Sequence, residues 1–167
     1  ISFFNNPDDH LAIFEIPSKN PVDHNNLIIA LESIRDPGNL GTIIRMCDWF
    51  GVKQIVCSEN TVDIYNPKVV QATMGSLFRV NIAYTNLSRY LTKVTTPIYG
   101  AYMDGENIKN INVERNSHLV MGNEANGISP EVSKCITNKV AIKNIGGTTE
   151  SLNVAVATSI LLHEFCN

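Results

Sequence analysis

A nearly continuous apolar run of strand length, LIIALESI at residues 27–34, constrains the fold more than any other feature of the chain. A strand with one face in water alternates apolar and polar residues, whereas a strand covered on both faces is apolar almost throughout. The run therefore predicts a strand inside a parallel sheet with helices on both faces. The turn DPGN follows at residues 36–39, and a segment with apolar residues at helical spacing comes next.

The same alternation of strand and helix patterns continues along the chain and predicts an α/β fold with a mainly parallel sheet. Strands are predicted at residues 12–16, 27–34, 53–57, 78–84, 97–102, 117–122 and 139–142. Helices are predicted at residues 40–50, 67–74, 87–94, 130–136 and 151–165. Residues 1–26 are polar and interrupted by proline, so we interpret them as a linker or lead-in from something upstream, and residues 27–167 as one domain.

Composition argues against several classes of protein. The net charge of −3 disfavours a protein that holds nucleic acid mainly through a wide basic surface. The four cysteines lie far apart without a CxxC pair, which disfavours a zinc site and is typical of reduced, buried thiols in a cytoplasmic protein. No apolar run approaches the roughly 20 residues that span a membrane. We therefore expect a cytoplasmic protein with neither a metal nor a membrane partner.

Three polar loops that contain glycine or follow a predicted strand mark the candidate site. They are DPGNLG at residues 36–41, GNEANG at residues 122–127 and NIGGTTESLN at residues 144–153. Open parallel sheets bind their ligands beyond the carboxyl ends of the strands. None of the loops carries the GxGxxG pattern of an ordinary dinucleotide-binding fold or the GK[ST] of a Walker loop. None contains one of the four histidines, which are His10, His24, His118 and His163.

Each loop, read alone, admits a structural and a functional interpretation. The first is a helix start capped by Asn39, or it forms one site with Arg45, whose planar guanidinium suits a phosphate. The second is a surface loop, or it places Glu124 to pair with Arg45 and orient it. The third is a helix start capped by Ser151 and Asn153, or it turns these side chains and free backbone N–H groups toward a polar ligand.

Taken together, the three segments resemble the motifs of a known enzyme family. DPGNLGTIIRMCDWFG resembles the first motif of the SpoU (TrmH-like) RNA 2′-O-ribose methyltransferases of the SPOUT superfamily. LVMGNEANGIS resembles the second motif, and ESLNVAVATSILLHEF resembles the third. The segment NPKVVQATMGSLFRVNI is similar to the region between the first two motifs, so the resemblance runs from about residue 27 to residue 165.

The resemblance implies properties that the sheet argument alone does not reach. It implies an α/β fold whose C-terminal part forms a deep trefoil knot, and a homodimer with each active site close to the dimer interface. It implies S-adenosylmethionine as cofactor and ribosomal or transfer RNA as substrate, methylated at a ribose 2′-hydroxyl, most commonly of guanosine. Members of the family often carry an N-terminal substrate-binding domain, which would precede residues 1–26.

The resemblance also implies roles for individual residues. The catalytic set that it implies is Arg45, Asn39, Glu124, Ser151 and Asn153. The cofactor-binding set that it implies is Gly122, Ile142, Leu152, Met121, Asn123, Gly127 and Ala101. The chain departs from the family at the entry to the third motif, where Lys143 takes the place of the usual proline and the loop is one residue longer. This departure concerns the contacts to adenine.

A ribose hydroxyl is a poor nucleophile until it loses its proton, so the reaction needs a group that accepts the proton or stabilises the oxyanion. Arginine is cationic at all ordinary pH values, and we therefore assign Arg45 to the adjoining phosphate, where its charge lowers the pKa of the 2′-hydroxyl. Asn39, Glu124 and Ser151 would orient Arg45 and the ribose. The alternative function is a non-catalytic RNA-binding or ribosome-assembly protein that retains the fold; the intact motif residues argue against it.

Overall fold

The computed structural model describes residues 12–16 and 21–167, in which six strands form one sheet with five α-helices packed around it. The strands are β1 (Ile28–Leu31), β2 (Gln54–Ser58), β3 (Asn81–Thr85), β4 (Ile98–Asn107), β5 (His118–Met121) and β6 (Asn138–Ala141). The helices are α1 (Pro37–Trp49), α2 (Pro67–Thr73), α3 (Leu87–Leu91), α4 (Pro130–Ser133) and α5 (Val154–Cys166). The predicted α/β class is confirmed.

The strand order is β3-β2-β1-β5-β4-β6, and every neighbouring pair is parallel. The chain builds outward from β1 through β2 and β3, and then crosses to the other side of β1 with β4, β5 and β6. Between β1 and β5 the direction of winding therefore reverses. Such a reversal opens a crevice at the carboxyl ends of the two strands, because the loops that leave them diverge.

The central strand β1 is buried on both faces, as its apolar run predicts. Ile29 and Leu31 belong to a core that they share with α1, α2 and α5. Ile28 and Ala30 point the other way, into a second core with residues of α3 and α4. Because successive side chains of a strand alternate between its two faces, only a continuous apolar run can supply both cores.

Helix α1 begins three residues earlier than the sequence pattern predicts, and its cap is a different residue. Asp36 is the N-cap, and its carboxylate accepts a hydrogen bond from the backbone N–H of Asn39 at 2.7 Å. Pro37 occupies the first helical position, where its missing N–H costs nothing. The prediction that Asn39 caps the helix is therefore wrong. The Asn39 side chain lies in the first turn and is free for another contact. Gly51 follows the helix with φ +75, so the predicted stop is confirmed.

Helix α5 covers β4 and packs along α1. Phe165 is buried and meets Tyr99 of β4 edge to face, with ring centroids 5.1 Å apart. The hydroxyl of Ser159 lies 3.7 Å from the sulfur of Met46 on α1. Helix α5 begins after its N-cap Asn153, whose side-chain oxygen accepts hydrogen bonds from the N–H groups of Ala155 and Val156. The sequence pattern predicts the helix from Ser151, which in the structure lies two residues before the cap.

Three strand predictions differ from the structure. Residues 12–16 form no strand, because they have no pairing partner and their side chains are exposed. Strand β3 begins later than predicted, because residues Ser76–Phe78 form a 3₁₀ turn after Gly75, which has φ +84. Strand β4 continues past residue 102 through an irregularity at which Ala101 and Glu106 both pair with Val140. The remainder of the predicted lead-in, residues 1–11 and 17–20, lies outside the described residues.

His118 is buried at the amino end of β5, away from the three loops. Its side chain is 1% exposed. Its ring nitrogens lie 2.8 Å from the Tyr90 hydroxyl and 3.2 Å from the Thr96 hydroxyl. Burial, with a smaller contribution from the charge of His24, lowers the pKa of His118 from its ordinary value of 6.5 to about 4.

We expect the free energy of unfolding to fall as the pH drops from about 6.5 toward 4, by at most about 1.4 kcal/mol per pH unit. In this range the unfolded chain binds a proton on residue 118, whereas the folded chain keeps the buried His118 ring neutral. Urea unfolding at several pH values measures the slope. His118→Gln should flatten it, and the exposed His163→Gln should not. Equal slopes for wild type and His118→Gln would contradict the argument.

The four cysteines, Cys47, Cys57, Cys135 and Cys166, are all free thiols. Burial raises the pKa of Cys57 to about 12 and that of Cys47 further. Within residues 12–16 and 21–167, no helix is both long and apolar enough to cross a membrane. The same residues contain no group of three His, Cys, Asp or Glu side chains that could hold a metal ion.

Candidate active site

The three predicted loops meet at the carboxyl edge of the sheet, around a cavity of about 640 Å³. It is lined mainly by the second and third loops. Residues 101–103 in the middle of β4 and one side of α5 complete the lining. The volume falls within the range of about 300–1,000 Å³ that is usual for small-molecule sites. The position that the strand order favours for a ligand is therefore occupied by a real cavity.

The second loop is a closed hairpin whose shape depends on its first asparagine. The backbones of Asn123 and Gly127 exchange two hydrogen bonds of 2.9 Å. The side-chain oxygen of Asn123 accepts hydrogen bonds from the N–H groups of Ala125 and Asn126, at 3.0 and 3.1 Å. Gly127 has φ +66, a conformation that residues with side chains rarely adopt. The loop is therefore ordered by its own polar groups.

Gly122, at the entry to this loop, has no room for a side chain. An added Cβ would stand 2.3 Å from the carbonyl carbon of Gly127 and 2.5 Å from the nitrogen of Ile128. The glycine is thus required for closing the hairpin, whatever the ligand is. Its backbone also lines the cavity, so the structural and functional interpretations of this residue are compatible.

A hydrogen-bonded chain joins the three loops to one another. The side-chain nitrogen of Asn39 donates to a carboxylate oxygen of Glu124 at 3.0 Å. The side-chain nitrogen of Asn153 donates to the oxygen of Asn39 at 2.9 Å. Asn153 is oriented in turn by capping α5 with its own oxygen. Each amide therefore uses both of its polar atoms, and the first, second and third motifs are fixed relative to one another.

All seven residues of the predicted cofactor-binding set line the cavity. They are Ala101, Met121, Gly122, Asn123, Gly127, Ile142 and Leu152. The departure Lys143 lines it as well, beside Ile142. Apolar side chains come from β4, β5 and the two ends of the third loop, while the second loop presents mainly backbone and amide groups. The cavity thus offers apolar surface on one side and hydrogen-bonding groups on the other.

The predicted catalytic residues take three different positions relative to the cavity. Glu124 and Ser151 line the cavity, and Asn39 and Asn153 stand behind them in the hydrogen-bonded chain. Arg45 follows Asn39 by six residues, about 1.7 turns of α1, and is exposed. Among the described residues Glu124 bonds to Asn39 and Asn123, not to Arg45, so the predicted pairing of Arg45 with Glu124 is wrong. The guanidinium has no partner in the described part of the chain.

Several residues that shape the site are not among those predicted from the sequence. Ser33 contacts Asn123 in the second loop and Glu32 contacts Ser129 just after it, yet both fall inside the segment that the sequence predicts as strand. Asn144 folds the third loop by accepting hydrogen bonds from the N–H groups of Gly146 and Gly147, at 3.0 and 2.9 Å. The sequence did contain a signal for each residue. Glu32 is a polar residue directly after a buried strand, and Asn144 stands two residues before a pair of glycines.

The chain is similar in sequence and fold to known proteins. The family model described as the SpoU rRNA Methylase family matches residues 26–163. The 23S rRNA (guanosine(2553)-2′-O)-methyltransferase RlmP of Bacillus subtilis is 31% identical over 140 residues, which cover 81% of this chain and 56% of that protein. The 23S rRNA (guanosine-2′-O-)-methyltransferase RlmB of Blochmanniella floridana is 34% identical over 145 residues, which cover 83% and 56%.

A solved structure with cofactor bound also matches. The AdoMet-bound rRNA methyltransferase from Sinorhizobium meliloti superposes with a TM-score of 0.78 at 33% identity, over 84% of this chain and 55% of that one. The chain thus spans little more than half the length of each of these three proteins.

Proposed function

The chain belongs to the SpoU family of rRNA methylases, and we propose that it is an S-adenosylmethionine-dependent RNA methyltransferase. It transfers the methyl group to a ribose 2′-hydroxyl, and the nucleoside that we propose is guanosine. The observation that carries the proposal is the hydrogen-bonded chain of Glu124, Asn39 and Asn153 at the mouth of the 640 Å³ cavity. It brings one polar residue from each motif to one place. The two 23S rRNA enzymes among the relatives support ribosomal RNA as substrate, and transfer RNA is the other candidate.

The residues around the cavity fit S-adenosylmethionine. Ile142, Leu152 and Met121 would supply apolar contacts for the adenine, and the backbone at Gly122, which has no side chain, would allow close approach of the cofactor. Backbone groups of the second and third loops suit the polar parts, because the amide of Asn123 is already bonded to Ser33, Ala125 and Asn126. When bound, the cofactor supplies a methyl carbon made electrophilic by the sulfonium to which it is attached. The chain's own part is to bring the ribose there and to manage its proton.

Arg45 is the group that we assign to the RNA phosphate next to the target ribose. Its guanidinium is exposed and unpaired among the described residues, so no internal carboxylate competes for it. A fixed cation beside the ribose favours the ionised 2′-hydroxyl and lowers its pKa. The proton leaves to that phosphate or to a water molecule, because a guanidinium does not give up its own proton to become a base.

The chain of Glu124, Asn39 and Asn153 positions the ribose. It ends at the exposed carboxylate of Glu124, which lines the cavity together with Ser151, so an acceptor and a hydroxyl are available to the hydroxyl groups of the ribose. Fixing the reacting groups in this way can remove several kcal/mol of the barrier. Arg45 is thus held by its place on α1 and not by a direct contact with Glu124.

The proposed function is tested by methyl transfer from labelled S-adenosylmethionine. The full-length protein is incubated with RNA from its source organism after deletion of the gene, and the labelled nucleotides are then mapped. We expect label on a ribose 2′-oxygen of one RNA. If the protein binds S-adenosylmethionine but labels no RNA, the alternative of a non-catalytic RNA-binding or ribosome-assembly protein is favoured. If it binds neither, the assignment of the cavity fails.

The family resemblance also implies a homodimer, and one surface of the structure supports this proposal. Helices α1 and α5, which pack together, both expose apolar side chains: Trp49 is 82% exposed, Val156 is 49% exposed and Ile160 is 37% exposed. Trp49 follows Arg45 by one turn of α1, and Val156 and Ile160 are one turn apart on α5. Burying this surface against a second copy would place each site at the interface.

Replacing Ile160 and Trp49 together by glutamate should convert the dimer into a monomer, because two charges would then be buried without partners in the interface. Sedimentation equilibrium of wild type and of the double variant measures the mass. Met74→Glu is the control, since Met74 is 69% exposed and belongs to neither α1 nor α5 but is the C-cap of α2. A wild-type protein that stays monomeric at all concentrations, or a double variant that still dimerises, would contradict the proposal.

Three further properties are proposed on the same basis. The C-terminal trefoil knot is supported by the path of the chain, which leaves β6 at the sheet edge and returns to pack α5 against α1. Residues 27–167 form the catalytic domain, and residues 1–26 lead in from a substrate-binding domain; the greater length of the relatives supports this. A cytoplasmic location is supported by the buried free thiols.

A further inference from the structure

Glu32 is an acidic residue that nothing in the proposed mechanism uses, although it is only 9% exposed. It follows β1 directly, and its own N–H donates to the carbonyl of Met121 at the end of β5 at 2.9 Å. One carboxylate oxygen accepts a hydrogen bond from the N–H of Ser129 at 2.9 Å. Among the described residues no cation pairs with Glu32. A buried carboxylate without a cation is costly, so a specific task is expected of it.

The contact with Ser129 is one half of a two-point attachment of the second loop. Ser129 lies two residues after that loop, and its hydroxyl caps α4. Asn123, at the beginning of the loop, donates through its side-chain nitrogen to the carbonyl of Ser33 at 2.8 Å. The two consecutive residues after β1 therefore hold both ends of segment 123–129, which contains most of the loop.

Ser33 has φ +55, a left-handed conformation that costs a non-glycine residue about 1–2 kcal/mol. It is held there from both sides: its N–H donates to the Ser58 hydroxyl at 2.8 Å, while its carbonyl accepts from Asn123. Unfavourable backbone conformations of this kind persist where the surroundings determine them, and they gather at functional sites. The exit of β1 is thus a rigid support.

We infer that Glu32 is a positioning residue that fixes the second loop, and through it the cofactor cavity and Glu124, by accepting the N–H of Ser129. The inference rests on the proposed function, because this loop supplies Gly122, Asn123 and Gly127 to the cavity. The same loop carries Glu124, so freeing its end would also loosen the hold on Asn39. Glu32 acts through the loop and does not itself line the cavity.

The first test compares Glu32→Ala with Glu32→Gln in the ligand-free protein. The amide oxygen of glutamine still accepts the N–H, whereas alanine leaves that N–H without a partner. We expect amide exchange of residues 122–129 to accelerate about 10-fold in Glu32→Ala and to stay within about threefold of wild type in Glu32→Gln. Exchange of α2, which is remote, should not change. Glu131→Ala, an exposed carboxylate on α4, is the matched control.

A second pair of variants approaches the same hydrogen bond from the donor side, and decides the matter if Glu32→Ala does not fold. Ser129 has φ −64, a value that proline adopts without strain. Ser129→Ala removes only the cap of α4, while Ser129→Pro also removes the N–H that Glu32 accepts. Loop exchange should be faster in Ser129→Pro than in Ser129→Ala.

Affinity for S-adenosylmethionine is a measurement that would not change if Glu32 only stabilised the fold. By calorimetry, Glu32→Ala should bind S-adenosylmethionine about 10-fold more weakly than wild type, and Glu32→Gln should recover most of that affinity. Unchanged loop exchange in Glu32→Ala, or exchange in Glu32→Gln as fast as in Glu32→Ala, overturns the inference. Wild-type protein that does not bind the cofactor refutes the proposed function instead, and the exchange data still decide the role of Glu32.

Discussion

Arg45→Ala is expected to lower the rate of methyl transfer by at least about 10²–10³-fold, which is the usual effect of removing one charge-stabilising donor from an active site. Affinity for S-adenosylmethionine should change little, because Arg45 lies on α1 and does not line the cavity. Single-turnover rates with the mapped RNA, together with calorimetric titration of the cofactor, measure the two quantities separately.

Two companion variants sharpen the result for Arg45. Arg45→Lys keeps the positive charge but loses the planar fork, so we expect it to recover only a small part of the activity. Arg89→Ala is the matched control, since Arg89 is also exposed but belongs to α3, on the opposite face of the sheet. A collapse of cofactor binding in Arg45→Ala would show that Arg45 serves the cofactor and not the RNA.

Asn39→Asp is expected to lower the transfer rate about 100-fold near pH 8 and to regain activity as the pH falls. The side-chain nitrogen of Asn39 donates to Glu124 at 3.0 Å, so the substitution sets a second carboxylate against the first. Two carboxylates at this distance repel, which raises the pKa of the pair, and the pair takes up a proton at lower pH. That proton restores a hydrogen bond between the two oxygens.

The pH profile distinguishes this cause from a general loss of structure. Asn39→Ala also loses the contact but introduces no charge, so its activity should be low without the recovery at lower pH. Asn66→Asp serves as control: Asn66 caps α2, and aspartate is an equally good cap there. If Asn39→Asp shows the same pH profile as Asn39→Ala, the hydrogen bond between Asn39 and Glu124 is not what sustains activity.

Much of the fold could be read from the chain, because hydrophobic pattern and turn residues reflect local physics. The continuous run at residues 27–34 predicted a strand buried on both faces, and β1 lies at the centre of the sheet with a core on each side. The three loops were located because each follows a strand and contains polar residues, and a parallel sheet brings strand ends together. The cavity accordingly contains every residue of the predicted cofactor set.

What could not be read depends on partners that are distant in sequence. The partner of Glu124 was expected to be Arg45, but it is Asn39, because charge alone does not reveal which side chain has its polar atoms free. Asn39 is free only because Asp36 caps the helix. The signal for that was present, since proline at residue 37 marks a first helical position. The role of Glu32 could not be predicted, because the residue stands inside an apolar run and its hydrogen-bond donor, the N–H of Ser129, is 97 residues away.

The spacing of the hydrogen-bonded chain along the sequence has a consequence for how the protein becomes active. Asn39 is 85 residues from Glu124 and 114 residues from Asn153, so no short fragment contains the chain of contacts. Closing loops of this length costs entropy before any contact compensates for it, and such contacts form late in folding. A partly folded or still growing polypeptide therefore lacks the site altogether. On the proposed function, methyl transfer would therefore require that α5 has already docked and brought Asn153 to Asn39.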